Sequence, residues 1–506
     1  MVGQTKQNSS WINARSMSGM LMFVIAFGVL VYAVLRASNA SFTHDESLSY
    51  LRYPHQTLTD ILAHKEAYTN NHMLNTLGMK YCERLFGTSE LVLRLPNLLA
   101  LVMYMFYAAL LVRSLPAWTG LAMFTILISN AYLLELFTLA RGYGLSFGFM
   151  LMAIYHLATY LRSVRFRDAM LFHAACMLAV LSNFTMLDLY AAALGLLALA
   201  GCFIWWMMPE YRPVLWKNVR LQTVLLALAV FGLWEPVRQV VTQNHFDFGG
   251  QQGFYHDTMR SVIYAAFPGL YVDEILLLFF QVLFTALMVL ALALIVRMVI
   301  IKNIQFFYEQ KVFVVVTCVL VLACTVAIIQ HWIFGADHLE ARFAKFLLPL
   351  LALHVGLLLL AVTQQRGSKV VTVAFLLLAG ISLKSFINNS GYYRSEEWQY
   401  DMETKDMMKE LLVDHGRATS GSPSIRIGNT WLFEPTINFY RVIWHVDELA
   451  PAHRNGPEWN EDYLYLDGSQ RAIADTTKYT ILRVFDRAGA CLYTRRVDGE
   501  AMNAPR

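Results

Sequence analysis

Long apolar stretches recur along the first three quarters of the chain and are separated by short polar connections. About 20 apolar residues in a helix cross the hydrocarbon core of a bilayer, so stretches of this length predict membrane-spanning helices. The fold class expected is an all-α polytopic membrane domain over residues 1–388. About eleven spans are predicted, at about 17–37, 91–112, 116–134, 142–161, 169–187, 189–208, 221–243, 275–296, 312–331, 344–362 and 370–387.

The loop after the first apolar stretch, residues 38–90, has a helical pattern of its own. Two sets of apolar residues recur there at the spacing of one helix face. We therefore expect amphipathic helices that lie at the membrane surface. The two sets are Leu58, Ile61 and Leu62, and Leu74, Leu77, Tyr81 and Leu85.

The tail, residues 389–506, differs in character from the apolar stretches before it. It is rich in Gly, Pro, Asp and Arg, and it contains short β-forming pieces at 463–466, 479–484 and 490–493. Strands of this length separated by turn residues favour a small sheet. The tail is therefore predicted to form a small soluble α/β domain.

The basic residues fall in alternate connections, and this predicts the orientation of the chain. Because cytoplasmic loops are enriched in Lys and Arg, these connections are expected on the cytoplasmic side, together with the N-terminus. The loops at about 38–90 and 244–274 then lie on the outer side, as does the tail. The basic set is Lys6, Arg15, Arg113, Arg162, Arg165, Arg167, Arg212, Lys217, Arg220, Arg297, Lys302, Lys311, Arg366 and Lys369.

Charged residues are only 15% of the chain and hydrophobic residues 57%, whereas soluble domains average about 25% charged. Against this background, the adjacent acids Asp45 and Glu46 directly after the first span are notable. Carboxylates there are costly in lipid but suit a polar cavity, where one can act as a general base. The alternative is a helix-capping acid with a solvated neighbour.

Two further groups on the outer side are candidates for binding substrate. Asn71, His72 and Lys80 offer hydrogen bonds and charge to sugar hydroxyls or a phosphate. The alternative, which the motif standing alone favours, is a polar turn that caps the helix starting near Met73. Arg141 suits a phosphate through paired hydrogen bonds. Arg141 also fits snorkelling to lipid phosphate or a salt bridge to Glu135.

His338, Arg342 and Lys345 are spaced by four and three residues, which predicts one face of a helix entering the membrane. Three such groups together favour an anion, and a lipid phosphate is the obvious candidate. General anchoring to anionic lipids is the alternative, although it is more common on the cytoplasmic side.

Cofactor motifs are sparse. The outer side carries several histidines, but they lack the tight spacing of a HExxH metal site. A divalent metal therefore stays possible, and no other cofactor is expected. The histidines are those at 44, 64, 72, 245, 256, 331 and 338. A phosphate-binding P-loop and a dinucleotide fingerprint are both missing from the sequence. ATP-driven transport and redox chemistry therefore have no support, and no nucleic-acid partner is expected.

The chain resembles the GT-C superfamily of membrane glycosyltransferases, especially the branch of protein O-mannosyltransferases and lipid A aminoarabinose transferases. The resemblance covers the layout of residues 1–390, but its motifs lie mostly in the first 145 residues. One position departs from the pattern: Met73 follows His72, where many relatives have a proline after the histidine. The motifs are Asp45-Glu46, the runs at 71–77 and 89–97, Ala140-Arg141-Gly142-Tyr143, and the late segment 341–350.

The resemblance implies roles for individual residues. Asp45 is the general base that activates an acceptor hydroxyl, and Glu46 orients acceptor or donor. Arg141 holds the phosphate of a polyprenyl-phosphate sugar, with Arg342 and Lys345 as further contacts. The implied activity is inverting transfer of a hexosyl or pentosyl group to a lipid, glycan or protein acceptor. The implied location is the bacterial inner membrane, with the C-terminal domain in the periplasm.

Two other functions are open at this stage. A transporter or flippase for a lipid-linked sugar is the main alternative, although such proteins often show internal repeats and broken helices at the midplane. A non-catalytic assembly subunit with the same fold is the second. In each case the expected partners include membrane lipids.

Overall fold

A computed structural model describes residues 2–66, 70–242, 249–267, 271, 273–363, 369–393, 395–418 and 424–496, with side chains from residue 14 onward. This part leaves out three of the groups on which the predictions draw, His245, Arg366 and the side chain of Lys6. The α-helices in the described part are α1 Val2–Asn39, α2 His44–Arg52, α3 Leu58–Leu62, α4 Met73–Phe86, α5 Glu90–Val112, α6 Ala117–Ile128, α7 Ala131–Phe137, α8 Gly142–Ser163, α9 Phe166–Ser182, α10 Met186–Met207, α11 Arg212–Thr242, α12 Arg260–Ala266, α13 Glu274–Ile300, α14 Ile304–Glu309, α15 Lys311–Phe334, α16 Leu347–Thr363, α17 Lys369–Asn389, α18 Thr404–Ala418 and α19 Glu434–Ile443.

Each apolar stretch predicted from the sequence corresponds to a helix or, at 116–134, to the pair α6 and α7. Within the described residues, eight helices are long and apolar enough to span a membrane, and nine are if the pair α6 and α7, bent by 64°, counts as one span. The other two predicted spans correspond to α9 and α16, which have 17 residues each. The prediction of an all-α polytopic membrane domain is confirmed.

The first outer loop folds as its pattern predicts. Its two apolar stripes lie on α3 and α4. Ile61 is buried, whereas Leu62, Tyr81 and Leu85 are exposed. An exposed apolar face outside the bundle fits a helix at the membrane interface.

The tail forms a four-stranded sheet with two helices, α18 and α19, as predicted. The strands are β1 Ile427–Asn429, β2 Tyr463–Asp467, β3 Tyr479–Phe485 and β4 Ala490–Arg495, and their order in the sheet is β1-β2-β4-β3. Only β1 and β2 are parallel; the other pairs are antiparallel.

The C-terminal domain packs against the first outer loop. Helix α19 lies on α2. Phe42 stacks on Phe439 with ring centroids 4.0 Å apart, and its backbone N–H donates to the hydroxyl of Tyr440 at 2.8 Å. All three residues are buried. The domain therefore supports α2 from one side while the helix bundle supports it from the other.

Candidate active site

Helix α2, which carries the acidic pair, begins with a capping box. The Thr43 hydroxyl accepts a hydrogen bond from the backbone N–H of Glu46, and the Glu46 carboxylate accepts one from the N–H of Thr43. This reciprocal pair satisfies two backbone donors that a helix N-terminus leaves free. It also fixes which way the first turn of α2 faces.

Glu46 turns into the protein interior. Its carboxylate is fully buried and forms a salt bridge of 2.8 Å with Arg94 of α5, which is equally buried. It also accepts the N–H of Ala140 at 2.5 Å. With both oxygens occupied in this way, Glu46 acts as a structural anchor, which corresponds to the helix-capping alternative and not to contact with a substrate.

Asp45 faces a different direction and stays partly open, with 15% of its side chain exposed. One carboxylate oxygen lies 3.5 Å from Nη2 of Arg141 and 3.4 Å from Nη2 of Arg342. The structure thus brings together three of the predicted site residues, from segments almost 300 positions apart in the chain.

Arg141 is almost completely buried, and its hydrogen bonds hold the site together. Its Nη1 donates to the hydroxyl of Ser49 at 2.9 Å and to the carbonyl of Asn70 at 3.0 Å. Its Nη2 also donates to the side-chain oxygen of Asn70. Arg141 therefore positions Asp45 and does not pair with Glu135, which was one of the alternatives. Glu135 instead lies 3.7 Å from Arg36.

Arg342 and Lys345 share a partner that the sequence did not indicate, Glu397. Nη1 of Arg342 lies 2.9 Å from one carboxylate oxygen of Glu397, and Nζ of Lys345 lies 3.0 Å from the other. Nε of Arg342 also donates to the hydroxyl of Tyr143 at 3.0 Å. The two cations therefore form one cluster with Asp45 and Arg141.

The prediction that His338 shares a helix face with these cations is wrong. Ala341 adopts a left-handed φ of 48°, and regular helix begins only at Leu347. His338 instead exchanges backbone hydrogen bonds with Gly250, and its ring stacks on His331 at 4.1 Å. This tertiary pairing interrupts the helical spacing and places His338 in a separate group.

Asn71 and His72 occupy the turn before α4, as the capping alternative predicts. Asn71 accepts a hydrogen bond from Thr76 at 3.0 Å, and His72 is the residue before the first turn of α4. Nδ1 of His72 donates to the carbonyl of Ser182 at 2.8 Å, because a carbonyl can only accept. Burial, with the Arg141 cation nearby, holds the pKa of His72 well below its ordinary value, so the ring is neutral.

Lys80 serves the structure of the loop. Its Nζ donates to the carbonyls of Pro54 at 2.6 Å and Gln56 at 2.7 Å. These bonds tie α4 to the end of α2. These bonds use two of the three ammonium donors, and the role of Lys80 as a point charge for a phosphate stays a prediction.

The C-terminal domain reaches the residue before Asp45. The backbone N–H of His44 donates to the carboxyl of Asp401 at 2.5 Å, and Nη2 of Arg454 donates to Nε2 of His44 at 2.9 Å. Asp401 also accepts the hydroxyl of Thr404 at 3.0 Å. Burial raises the pKa of the Asp401 carboxyl to about 8, and the Asp45 charge adds to that shift.

The cluster as a whole has a net positive charge, which suits an anionic ligand. Three cations, Arg141, Arg342 and Lys345, face two carboxylates, Asp45 and Glu397, and one positive charge is left over. In the described part of the chain, His, Cys, Asp and Glu side chains do not come together in threes as a metal-ligand set.

Sequence comparison gives no match: neither a protein-family model nor a curated protein matches this chain. Similar solved structures include ArnT from Cupriavidus metallidurans bound to undecaprenyl phosphate (10% identity, 94% of this chain and 98% of that chain, TM-score 0.49). They also include the Archaeoglobus fulgidus oligosaccharyltransferase in complex with Zn and sulfate (14%, 87% and 68%, TM-score 0.41). A third is the arabinosyltransferase EmbB from Mycobacterium smegmatis (14%, 76% and 42%, TM-score 0.35).

At identities of 10–14% and TM-scores of 0.35–0.49, the likeness assigns no residue role and no substrate. The roles of Asp45, Arg342 and Lys345 depend on the geometry above.

Glu46→Gln is expected to destabilise the fold, because it leaves the buried Arg94 charge without its counter-ion. Breaking such a pair costs about 3–5 kcal/mol. Thermal unfolding in detergent should show a clearly lower midpoint. Glu410→Gln, which breaks the more exposed pair with Arg483, should cost about 1 kcal/mol or less. Equal midpoints for the two variants would contradict the anchoring role of Glu46.

The raised pKa of Asp401 predicts a pH dependence of stability. Between its ordinary pKa of 3.8 and about 8, the folded protein keeps a proton that the unfolded chain releases, so this group's contribution to stability falls as pH rises. Asp401→Asn removes this pH-dependent loss of stability, because an amide does not titrate. The unfolding midpoint of the variant, relative to wild type, should therefore rise from pH 5 to pH 8. A difference that stays constant over this range, as expected for the exposed control Asp406→Asn, would refute the shift.

Proposed function

We propose that this chain is a membrane glycosyltransferase that moves one sugar from a polyprenyl-phosphate donor to a hydroxyl on a lipid, glycan or protein acceptor. One observation carries the proposal. Asp45, a partly exposed carboxylate, lies between Arg141 and Arg342, and Arg342 shares Glu397 with a third cation, Lys345. This reaction requires at least a base beside cations that bind a phosphate. Arg342 and Lys345 are these cations, and together they are called the clamp below.

Asp45 has the geometry of the base. Its carboxylate takes the proton of the acceptor hydroxyl while that oxygen forms a bond with C1 of the donor sugar. The bond from C1 to the phosphate oxygen breaks, and its electron pair leaves with the lipid phosphate. A single displacement of this kind inverts the configuration at C1. Arg141 is held by Ser49 and Asn70, and keeps Asp45 in place.

Arg342 and Lys345 provide the charge that the leaving group needs. A departing phosphate gains negative charge in the transition state, and prearranged cations stabilise that charge more than they stabilise the donor. A guanidinium binds two phosphate oxygens at once, and an ammonium adds a point charge. Arg342 is 25% exposed, so a ligand has access to it.

An apolar cavity lies near this clamp and suits an isoprenoid chain. It has a volume of about 490 Å³, and Leu133 and Leu348 contribute to its wall. The N–H of Leu348 donates to the carbonyl of Lys345 at 3.1 Å, and Nζ of Lys345 lies 5.6 Å from the centre of the Tyr132 ring. The wall also includes Leu127, Phe284, Leu351 and Phe375. A lipid whose phosphate contacts Lys345 therefore has an apolar space within reach.

The predicted sidedness also favours a lipid-linked donor. Nucleotide sugars are made in the cytoplasm, whereas the loop that carries Asp45 is predicted to lie on the outer side. A donor that reaches an outer site must be carried across on a lipid. The proposed location is thus the outer face of the bacterial inner membrane, with the C-terminal domain in the periplasm.

Asp45→Asn is expected to reduce sugar transfer by about 100-fold or more, because it removes the base while keeping the side-chain shape. The assay follows radiolabelled sugar from a panel of polyprenyl-phosphate donors into membrane extracts, with purified protein in lipid nanodiscs. Asp406→Asn, an exposed carboxylate paired with Lys409, is the matched control and should keep wild-type activity.

Equal transfer by wild type and Asp45→Asn would rule out Asp45 as the base. Absence of transfer by wild type, with binding of polyprenyl phosphate retained, would instead favour a transporter for the same lipid.

A further inference from the structure

Glu397 occupies the clamp that the proposed function assigns to the donor phosphate. Its two carboxylate oxygens are divided between Nη1 of Arg342 at 2.9 Å and Nζ of Lys345 at 3.0 Å. A phosphate binds guanidinium and ammonium groups at the same distances and through paired oxygens. The carboxylate therefore takes the donors that a phosphate would need.

Glu397 is ionised in this position. Burial alone would raise the pKa of its carboxyl, but the Lys345 and Arg342 cations hold that pKa below its ordinary value. Its side chain is 13% exposed. The ionised Glu397 therefore neutralises one of the two positive charges of the clamp before any ligand arrives.

The backbone around Glu397 is held by other contacts. The hydroxyl of Ser395 donates to Glu135 at 2.8 Å, and the N–H of Glu396 donates to the same carboxylate at 3.1 Å. Trp398 is buried, and the guanidinium of Arg342 lies 5.2 Å from the centre of its ring. Because these contacts hold the backbone, the way for the Glu397 carboxylate to leave the clamp is rotation of its side chain.

The charge balance indicates what an exchange of the Glu397 carboxylate for a phosphate would do. With Glu397 in the clamp, the cluster has one positive charge in excess, and the excess becomes two when its carboxylate leaves. A sugar phosphodiester carries a single negative charge and neutralises only one of the two. The product is a lipid phosphate monoester with a charge near −2, and the cations hold it more strongly than the donor. An internal carboxylate that returns to the clamp would therefore help to release the product.

We propose that Glu397 is an internal competitor for the donor phosphate: it holds Arg342 and Lys345 between turnovers and displaces the lipid phosphate after transfer. This inference rests on the proposed function and extends it, because it assigns a regulatory role to a residue outside the reacting groups.

The test is binding of undecaprenyl phosphate, the lipid in the Cupriavidus metallidurans structure, to the full chain in nanodiscs of neutral lipid. Glu397→Gln keeps the shape and removes the competing charge, and it should bind about tenfold more tightly than wild type. Glu397→Asp keeps the charge on a shorter arm and should give a smaller gain. Glu410→Gln, with the same change of charge in the pair with Arg483, should bind as wild type does.

Turnover provides the second readout. With an active donor from the transfer assay, Glu397→Gln should lower KM and also lower kcat, because product release slows. A variant that is only damaged structurally would lower kcat without tightening the binding of undecaprenyl phosphate.

Arg342→Gln separates this inference from the proposed function. If it weakens binding by about tenfold while Glu397→Gln and Glu397→Asp leave binding unchanged or weaker, the clamp stands and the competitor role is refuted. If Arg342→Gln and both Glu397 variants leave binding unchanged, the phosphate binds elsewhere and both proposals fail.

Discussion

The buried ion pair between Glu46 and Arg94 is the interaction on which the arrangement of the site depends. Arg94 donates to both oxygens of Glu46 at 2.8 Å and to the carbonyls of Ala37, Ala40 and Ser41 at 2.9 Å. These bonds join the end of α1, the start of α2 and the start of α5. A buried charge pair is tolerated when its hydrogen bonds are satisfied in this way. Because successive residues of a helix point about 100° apart, anchoring Glu46 inward directs Asp45 towards the cations.

The site is assembled from segments that are distant in the chain. Asp45 lies in the first turn of α2, Arg141 directly precedes α8, Arg342 and Lys345 precede α16, and Glu397 follows α17. Each lies at an end of a helix and on the same side of the bundle. The membrane helices therefore hold the charges at fixed distances, and the C-terminal domain closes the other side through Asp401 and His44.

Local sequence patterns predict the elements well, because burial in lipid and helix or strand periodicity are local properties. The spans, the two loop helices and three of the four strands follow from them; β1, with three residues, has too short a pattern. The capping box from Thr43 to Glu46 was also present as a local signal, and it indicates that Glu46 is bound to the backbone. The motif thus distinguishes Glu46, which caps α2, from Asp45.

The partners of the charges are set by tertiary contacts, which local patterns do not contain. The spacing of His338, Arg342 and Lys345 suggested one helix face, but the pairing of His338 with Gly250 and the left-handed Ala341 interrupt the helix. Glu397 lies in a polar segment with no motif around it, and Lys80 is bound by carbonyls from another turn. Only the folded chain shows which charges meet.

The most direct measurement is a structure of the full chain in a lipid nanodisc with undecaprenyl phosphate bound. We expect the phosphate within hydrogen-bond distance of Arg342 and Lys345, the lipid chain in the apolar cavity, and Asp45 facing the phosphate across the space for a sugar. A phosphate at another end of the bundle, with the cluster around Asp45 unchanged, would contradict the proposed phosphate site.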